Sequence, residues 1–127
     1  MLFFYLGKSG AEIQSGNNSV KSIEGQGEVS IQIGDSLQVL SGSDVSIDCL
    51  ASGTPSPVIN WRWNERQVSS TGRFVIKEIA GGSRLIARKL TLGSAGQYQC
   101  TAFNVDGSDR VTSTVTVIGV CELNILT

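Results

Sequence analysis

The sequence predicts an all-β fold, and three observations lead to that class. Fifteen of the 127 residues are glycine, and frequent serine and threonine add to a composition typical of turns. Short runs of β-branched residues separate these turns, which favours strands. In the clearest run, Val45, Ile47 and Cys49 alternate with polar residues, as expected for a strand with one buried face. A chain of this length suits one domain.

The charge balance and the missing residue types argue against several classes of function. The net charge is −1 and histidine is absent, so no overall field favours nucleic acid or a membrane surface. The absence of histidine also removes the commonest general base and metal ligand. No cysteine pair has C-x-x-C spacing. We therefore expect no enzyme, metal or cofactor. The longest apolar run, residues 1–6, is too short to span a membrane.

The alternating pattern begins at Val29. Residues 1–28 are rich in Gly, Ser, Asn and Gln without a periodic apolar pattern, so we expect a flexible linker there. The first strand covers 29–33, and a kink at Gly34 leads into a second strand through Leu37 and Val39. The third strand is the one that contains Cys49.

The remaining strands follow the same alternation. Both prolines keep the next loop extended, and the fourth strand then places Ile59 and Trp61 inward. Trp63 shares their parity, but the strand is ending there, so we expect a half-exposed indole over the corner. Further strands are predicted over 73–79, 85–90, 97–103 and 111–117. Asp106 and Gly107 are expected to supply the positive-φ residues of the last hairpin.

Three motifs resemble those of I-set immunoglobulin domains. Residues 53–57, Gly-Thr-Pro-Ser-Pro, followed by Trp61, are similar to the family's G-x-P-x-P-x-x-x-W segment. Leu90 with 95–100 resembles the L-x-x-x-D-[AS]-G-x-Y-x-C run, and 102–107 resembles the A-x-N-x-x-G hairpin. The resemblance covers 29–118 and implies an immunoglobulin-like sandwich of two antiparallel Greek-key sheets. It leaves 1–28 as a linker and 119–127 as a tail.

The resemblance also implies a buried pin at the centre of the domain. Cys49 and Cys100 would be bridged across the sheets, with Trp61 packed on the bridge. Tyr98 would turn back and hydrogen-bond the loop that precedes its strand. The alternative is a pair of reduced thiols, as in intracellular muscle-filament members, because the bridge requires an oxidising compartment.

Four basic residues are expected on the outer face of one sheet: Arg73, Lys77, Arg84 and Arg88. Clustered cations of this kind could bind a sulfated glycosaminoglycan such as heparan sulfate. The alternative is a cross-strand charge ladder, because Asp44 and Asp48 share that face. Ser94 stands where the family usually has the aspartate that pairs with a basic residue at position 73. We therefore expect that ion pair to be absent or replaced.

Aromatic residues mark the margins of the other sheet, whose outer face is polar. Phe103 lies at one end and Trp63 at the other, and both are candidate anchors for a protein partner. Asn17 begins an Asn-Asn-Ser glycosylation sequon. Cys121 follows the last strand and is expected to be an unpaired thiol, which in an oxidising compartment could join another molecule or domain.

These features predict a recognition or spacer module with no catalytic activity. The first strands, 33–40, are most similar to extracellular-matrix members of the family such as the ADAMTS-like glycoproteins and papilin. We therefore expect a secreted multidomain glycoprotein whose partner is a protein or a matrix component. The alternative is a structural I-set domain of an intracellular muscle or cytoskeletal filament. Fold alone identifies neither partner.

Overall fold

The computed structural model of the chain describes residues 9–16, 20–22 and 28–119, which form two facing β-sheets. The strands are β1 (Glu12–Gln14), β2 (Val20–Ser22), β3 (Glu28–Gln32), β4 (Ser36–Leu40), β5 (Asp44–Ser52), β6 (Val58–Trp63), β7 (Arg66–Gln67), β8 (Phe74–Ile79), β9 (Gly82–Ala87), β10 (Gly96–Asn104) and β11 (Gly107–Ile118). A 3₁₀ turn, Leu92–Ser94, precedes β10.

The first sheet has the order β1-β5-β9-β8, and β3 also pairs with β5. The second sheet has the order β2-β4-β11-β10-β6-β7. The core lies between the sheets because alternate residues of each long strand point inward, as in the buried positions of β5 and β9. The predicted all-β, immunoglobulin-like sandwich is confirmed.

A disulfide joins the two sheets at the centre of this core. It connects Cys49 of β5 with Cys100 of β10, whose Cα atoms lie 6.5 Å apart. Trp61 is directly opposite Cys100 in the β6–β10 pairing and is 1% exposed. Its indole N–H donates to Ser83 Oγ at 2.9 Å. The indole can therefore be buried without leaving a polar group unsatisfied.

The first segment of the chain differs from the expected linker over 1–28. β1 pairs antiparallel with the end of β5, and Ile13 is only 6% exposed. Ala11 joins the same core cluster. β2 pairs parallel with β4. The linker prediction is thus wrong for β1, which a paired edge and two buried side chains hold in place, and for β2, which is held by its pairing with β4.

Parallel pairs are a second departure from the expected topology of antiparallel sheets. β3 runs parallel to β5 and β4 runs parallel to β11. The chain reverses between β3 and β4 at Gly34, which has a φ of +107°. Only glycine adopts this conformation without steric cost.

Two local predictions need correction. Trp63 is partly buried, as expected, but its ring packs inward rather than over the outer corner, with its centroid 6.1 Å from Phe74 and 6.3 Å from Tyr98. Its indole N–H donates to the carbonyl of Ala95 at 3.3 Å, so alternation was the better guide to Trp63. The last hairpin has Asn104 opposite Gly107, but Gly107 is not among the positive-φ glycines of the described residues. Asn104 Oδ1 instead accepts the N–H of Asp106 at 3.0 Å.

The predicted sequon at Asn17, the thiol of Cys121 and the tail from 120 onward lie outside the described residues. They stay predictions. Across 9–16, 20–22 and 28–119, no helix is long and apolar enough to cross a membrane.

Candidate protein-binding surface

Tyr98 of β10 hydrogen-bonds the loop that precedes its own strand. The phenol, buried to 1% exposure, donates to the carbonyl of Ser94 at 2.6 Å. Burial raises the pKa of Tyr98 to about 12, although the charge of Arg73 acts in the opposite direction. The Arg73 guanidinium donates to Ser94 Oγ at 3.0 Å and to Thr91 Oγ1 at 3.3 Å. Hydrogen bonds from the charged guanidinium to two neutral hydroxyls thus replace the ion pair that the family usually has here.

The outer face of the second sheet is formed mainly by β6, β10 and β11. The outward side chains follow from the strand registers and alternation: Val58, Asn60, Arg62, Gln97, Gln99, Thr101, Phe103, Ser108, Arg110, Thr112, Thr114 and Thr116. Gln99 Nε2 donates to Thr112 Oγ1 across the strands at 3.3 Å. The face is polar except at one end.

Apolar side chains gather at that end, which we call the apolar corner (Val58, Phe103 and Val105). Phe103 pairs directly with Val58 across the β6–β10 ladder. Their exposures are 38% and 55%, and Val105 in the turn that follows is 86% exposed. Phe103 was predicted as an anchor, whereas Val58 was not. The alternation of β6 carried the signal, because Val58 has the outward parity of Asn60 and Arg62.

Asn104 fixes the backbone beside the apolar corner. Its Nδ2 donates to the carbonyls of Ser9 at 2.8 Å and Pro55 at 2.9 Å. The N–H of Thr54 also donates to the Ser9 carbonyl, at 3.0 Å. One amide therefore ties together the last hairpin, the proline-containing loop and the segment before β1. A surface held this way loses little backbone entropy on binding.

Charge on this face is sparse and of one sign. Arg62 and Arg110 are exposed, and none of its outward residues in β6, β10 and β11 is acidic. Arg62 lies opposite Gln99, and Arg110 lies opposite Thr101. The two guanidiniums are thus available to carboxylates of a partner.

The structure does not bring the four basic residues of the first sheet together as one open patch. Arg73 is directed to the 3₁₀ turn by its bonds to Ser94. Arg84 forms an ion pair with Asp48, with 2.6 Å and 3.1 Å between the bonded atoms. This hydrogen bond, together with the charge of Asp48, raises the pKa of Arg84. Lys77 lies opposite Arg84 and is exposed, as is Arg88.

These contacts support the charge-ladder alternative for Arg84 and leave heparan sulfate binding a prediction. In the same face, Asp44 Oδ1 accepts the N–H of Lys89 at 2.8 Å. Acidic groups thus lie on β5 and basic groups on β8 and β9, so the face is divided by charge.

Acidic side chains line two clefts of the described residues. One cleft, of about 650 Å³, lies at the open end between β5, β6 and β8, and Glu78 is the ionisable residue that lines it. Another, of about 660 Å³, is lined by Glu12, Asp106 and Asp109. Asp109 accepts the N–H of Ile13 at 2.8 Å. Within the described ranges, no three metal-ligating side chains are grouped suitably to hold an ion.

Two facing sheets, a disulfide between them, a buried tryptophan and a tyrosine corner define an immunoglobulin-type domain. The chain belongs to the I-set family: the sequence model of the immunoglobulin I-set domain matches residues 28–117. Domains of this family are generally non-catalytic.

The chain is similar to modules of extracellular and intracellular proteins. It is 35% identical over 88 residues to hemicentin-1 of Mus musculus, covering 69% of this chain and 2% of that protein. It is also 35% identical over 72 residues to the basement membrane-specific heparan sulfate proteoglycan core protein of Mus musculus, covering 57% and 2%. Titin of Drosophila melanogaster is 35% identical over 78 residues, 61% of this chain and a share of titin that rounds to 0%. The chain therefore spans a small fraction of these relatives.

Solved structures of titin domains share the fold. An atomic-resolution structure of one titin domain has a TM-score of 0.63 and 26% identity, over 69% of this chain and 87% of that one. A complex of a titin domain with an obscurin-like 1 immunoglobulin domain has a TM-score of 0.67 at 20% identity, over 89% and 97%. The latter identity shows the fold alone.

Proposed function

We propose that this domain is a recognition module of a secreted, multidomain glycoprotein of the extracellular matrix. It binds a protein partner through the outer face of the second sheet. The observation that carries this proposal is the apolar corner, where Val58 and Phe103 are exposed side by side on an otherwise polar face. Clustered exposed apolar residues with a polar surround are typical of interaction sites.

The composition of the face indicates what the partner presents. An aromatic ring next to an aliphatic side chain suits an apolar protrusion or pocket, and such centres carry most of the binding energy in protein interfaces. Arg62 and Arg110 would then meet carboxylates at the rim. The partner surface is thus apolar at its centre and acidic at its edge.

The disulfide supports secretion over the intracellular alternative. Structural disulfides persist in oxidising compartments and are rare in the cytosol. The similarity to hemicentin-1 and to the basement membrane proteoglycan agrees with a matrix location, whereas the similarity to titin agrees with a filament. A thiol count on the native, unreduced protein separates the two. One alkylated cysteine supports secretion, and three alkylated cysteines contradict it.

A pair of matched variants tests the binding surface. Val58 and Leu92 are similarly exposed, at 55% and 57%, but Leu92 lies on the 3₁₀ turn. Val58→Asp should weaken binding of the immobilised domain to extracellular-matrix proteins by about tenfold or more, as expected for a hot-spot change. Leu92→Asp introduces the same residue and should leave binding unchanged. Equal binding by both variants would contradict the proposed surface.

A further inference from the structure

Two short tracts of this chain have the same pattern. The first tract is Ala11–Gly16 and the second tract is Val29–Gly34, and both follow the order small-or-valine, polar, Ile, Gln, any residue, Gly. The second tract follows the first by 18 positions. The family match begins at 28, so it includes the second tract and leaves out the first.

Both tracts lie along the same edge of β5, in opposite directions. The first tract pairs antiparallel with the end of β5, where Glu12 is opposite Ser52 and Gln14 is opposite Leu50. The second tract pairs parallel with the beginning of β5, where Ser30 is opposite Ser46. Equivalent isoleucines are buried in each tract, with Ile13 at 6% and Ile31 at 4% exposure.

The tracts touch at their glycines. The N–H of Gly16 donates to the carbonyl of Ile33 at 2.7 Å. A Cβ atom on Gly34 would lie 2.5 Å from Ser15 Oγ and 2.9 Å from the Gly16 nitrogen. Gly34 is also the point where the chain reverses, with a φ of +107°. Gly34, the point about which the second tract could swing, therefore lies directly beside the end of the first tract.

We propose that the edge of β5 at Leu50–Ser52 is a strand-acceptor site that either tract can fill. In the exchanged state, the second tract of the same chain swings about Gly34 and replaces the first, antiparallel to β5. Superposition of the two patterns then places Ser30 opposite Ser52 and Gln32 opposite Leu50. The segment 9–16 is released.

The chemistry of the second tract suits this site. Val29 takes the place of Ala11, so the second tract brings more apolar surface to the same position. It also gains an antiparallel pairing, which is slightly more stable per residue than a parallel one. The contacts of the first tract oppose the exchange, above all the bond from the Ile13 N–H to Asp109.

The exchange also reaches the apolar corner. Release of the first tract removes the carbonyl of Ser9 from the Asn104 amide, which holds the last hairpin. A partner that binds the apolar corner more tightly in one of the two states would then raise the population of that state. This consequence rests on the proposed function, but the exchange itself does not.

Engineered cysteine pairs in the full chain distinguish the states, with Cys121→Ser as background. Glu12→Cys with Ser52→Cys reports the described state. Ser30→Cys with Ser52→Cys reports the exchanged state. In the described state Ser30 is opposite Ser46, about 20 Å along β5 from Ser52, so these two cysteines cannot form a disulfide there. After mild oxidation, cross-links are mapped by mass spectrometry without reduction. We expect both cross-links within single chains, the 30–52 link forming more slowly.

A variant that destabilises the docked first tract should raise the ratio of the 30–52 cross-link to the 12–52 cross-link. Ile13→Asp places a carboxylate at a buried position and should raise the yield of the 30–52 link about tenfold or more. Glu12→Asp is the matched control on the exposed side and should leave it unchanged. Because Ile13→Asp could unfold the domain, Gly34→Ala provides a second route, since its Cβ would collide with the first tract only while that tract is docked.

The outcomes separate cleanly. A rise in the intramolecular 30–52 link in either variant, with the cooperative melt retained, supports the exchange. An unchanged yield in both folded variants overturns it. A 30–52 link found only between chains also overturns it, because the second tract of another molecule would then be the occupant. None of these results depends on whether Val58→Asp weakens binding.

Discussion

Replacing Tyr98 by phenylalanine removes one hydroxyl from the centre of the domain. That hydroxyl donates to the Ser94 carbonyl at 2.6 Å in a buried setting. At neutral pH the variant loses one buried hydrogen bond and leaves the carbonyl with one partner fewer. We expect Tyr98→Phe to lower the free energy of unfolding by about 1–3 kcal/mol there.

The pH dependence gives the sharper test, because the pKa of Tyr98 is raised to about 12 by burial. An unfolded tyrosine has a pKa of about 10. A raised folded-state pKa means that this stabilisation is fully present below pH 10 and is lost as pH rises. Between about pH 10 and pH 12 the loss approaches 1.4 kcal/mol per pH unit, for a total of about 3 kcal/mol. The phenylalanine variant lacks this term.

Urea unfolding followed by tryptophan fluorescence measures the effect at several pH values from 8 to 11.5. Lysines also titrate in this range, so the informative quantity is the stability difference between the parent chain and Tyr98→Phe at each pH. That difference should shrink above pH 10. Tyr5→Phe removes the chain's other tyrosine and controls for phenol titration in general. A difference that stays constant up to pH 11.5 would show that burial does not hold the Tyr98 proton.

Three further outcomes are expected. Gly96→Ala should destabilise the domain by about 1–3 kcal/mol in a thermal melt, because the φ of Gly96 is +139° and a Cβ would collide with Asn64. Gly107→Ala is the control and should change stability by less than about 1 kcal/mol, since the nearest atom to its Cβ would be 3.5 Å away. Ile13→Ala should cost about 2–5 kcal/mol if the first tract cannot be replaced, and clearly less if the second tract takes its position. If the basic residues of the first sheet bind heparin, retention on a heparin column should fall steeply with salt and be lost in Arg84→Glu with Arg88→Glu; retention that is unchanged in this double variant would show that they are not the site.

The central strands could be predicted because their signals are local. Alternation in β5 and β10 indicates which side chains point inward, and the resemblance to I-set domains supplies the pairing of Cys49 with Cys100 beside Trp61. Each of these strands is long enough for the period of two to repeat several times. The pairing of β3 with β5 was not predictable in the same way, because alternation is identical for parallel and antiparallel partners.

The first tract shows where composition misleads. Ala11 and Ile13 are its buried apolar residues, and two such residues in a Gly- and Ser-rich segment resemble a linker. The tract is ordered because the edge of β5 supplies its hydrogen bonds and the core accepts Ile13. Neither the edge nor the vacancy in the core is visible in the segment itself.

The surface residues were predicted in part, and side-chain length explains the remainder. Parity places Phe103 on the outer face, and the same rule places Val58 there too, because Val58 shares the outward parity of Asn60 in β6. Parity also grouped Arg73 with Arg84, but long side chains are not confined to the spot above their Cα atoms. Arg73 reaches the hydroxyl of Ser94 instead. Backbone alternation predicts the face of a residue and not the partner of its charge.

Asn104 connects the two proposals physically. Its side chain accepts from the turn that carries Val105 and donates to Ser9 and Pro55. The apolar corner is therefore held by Ser9, two residues before the first tract, as well as by its own hairpin. If the first tract leaves, Asn104 keeps the bond to Pro55 and loses the one to Ser9, so the corner becomes less rigid without losing its apolar residues. Strand exchange would thus act on binding through the entropy of the hairpin rather than by adding or removing contacts.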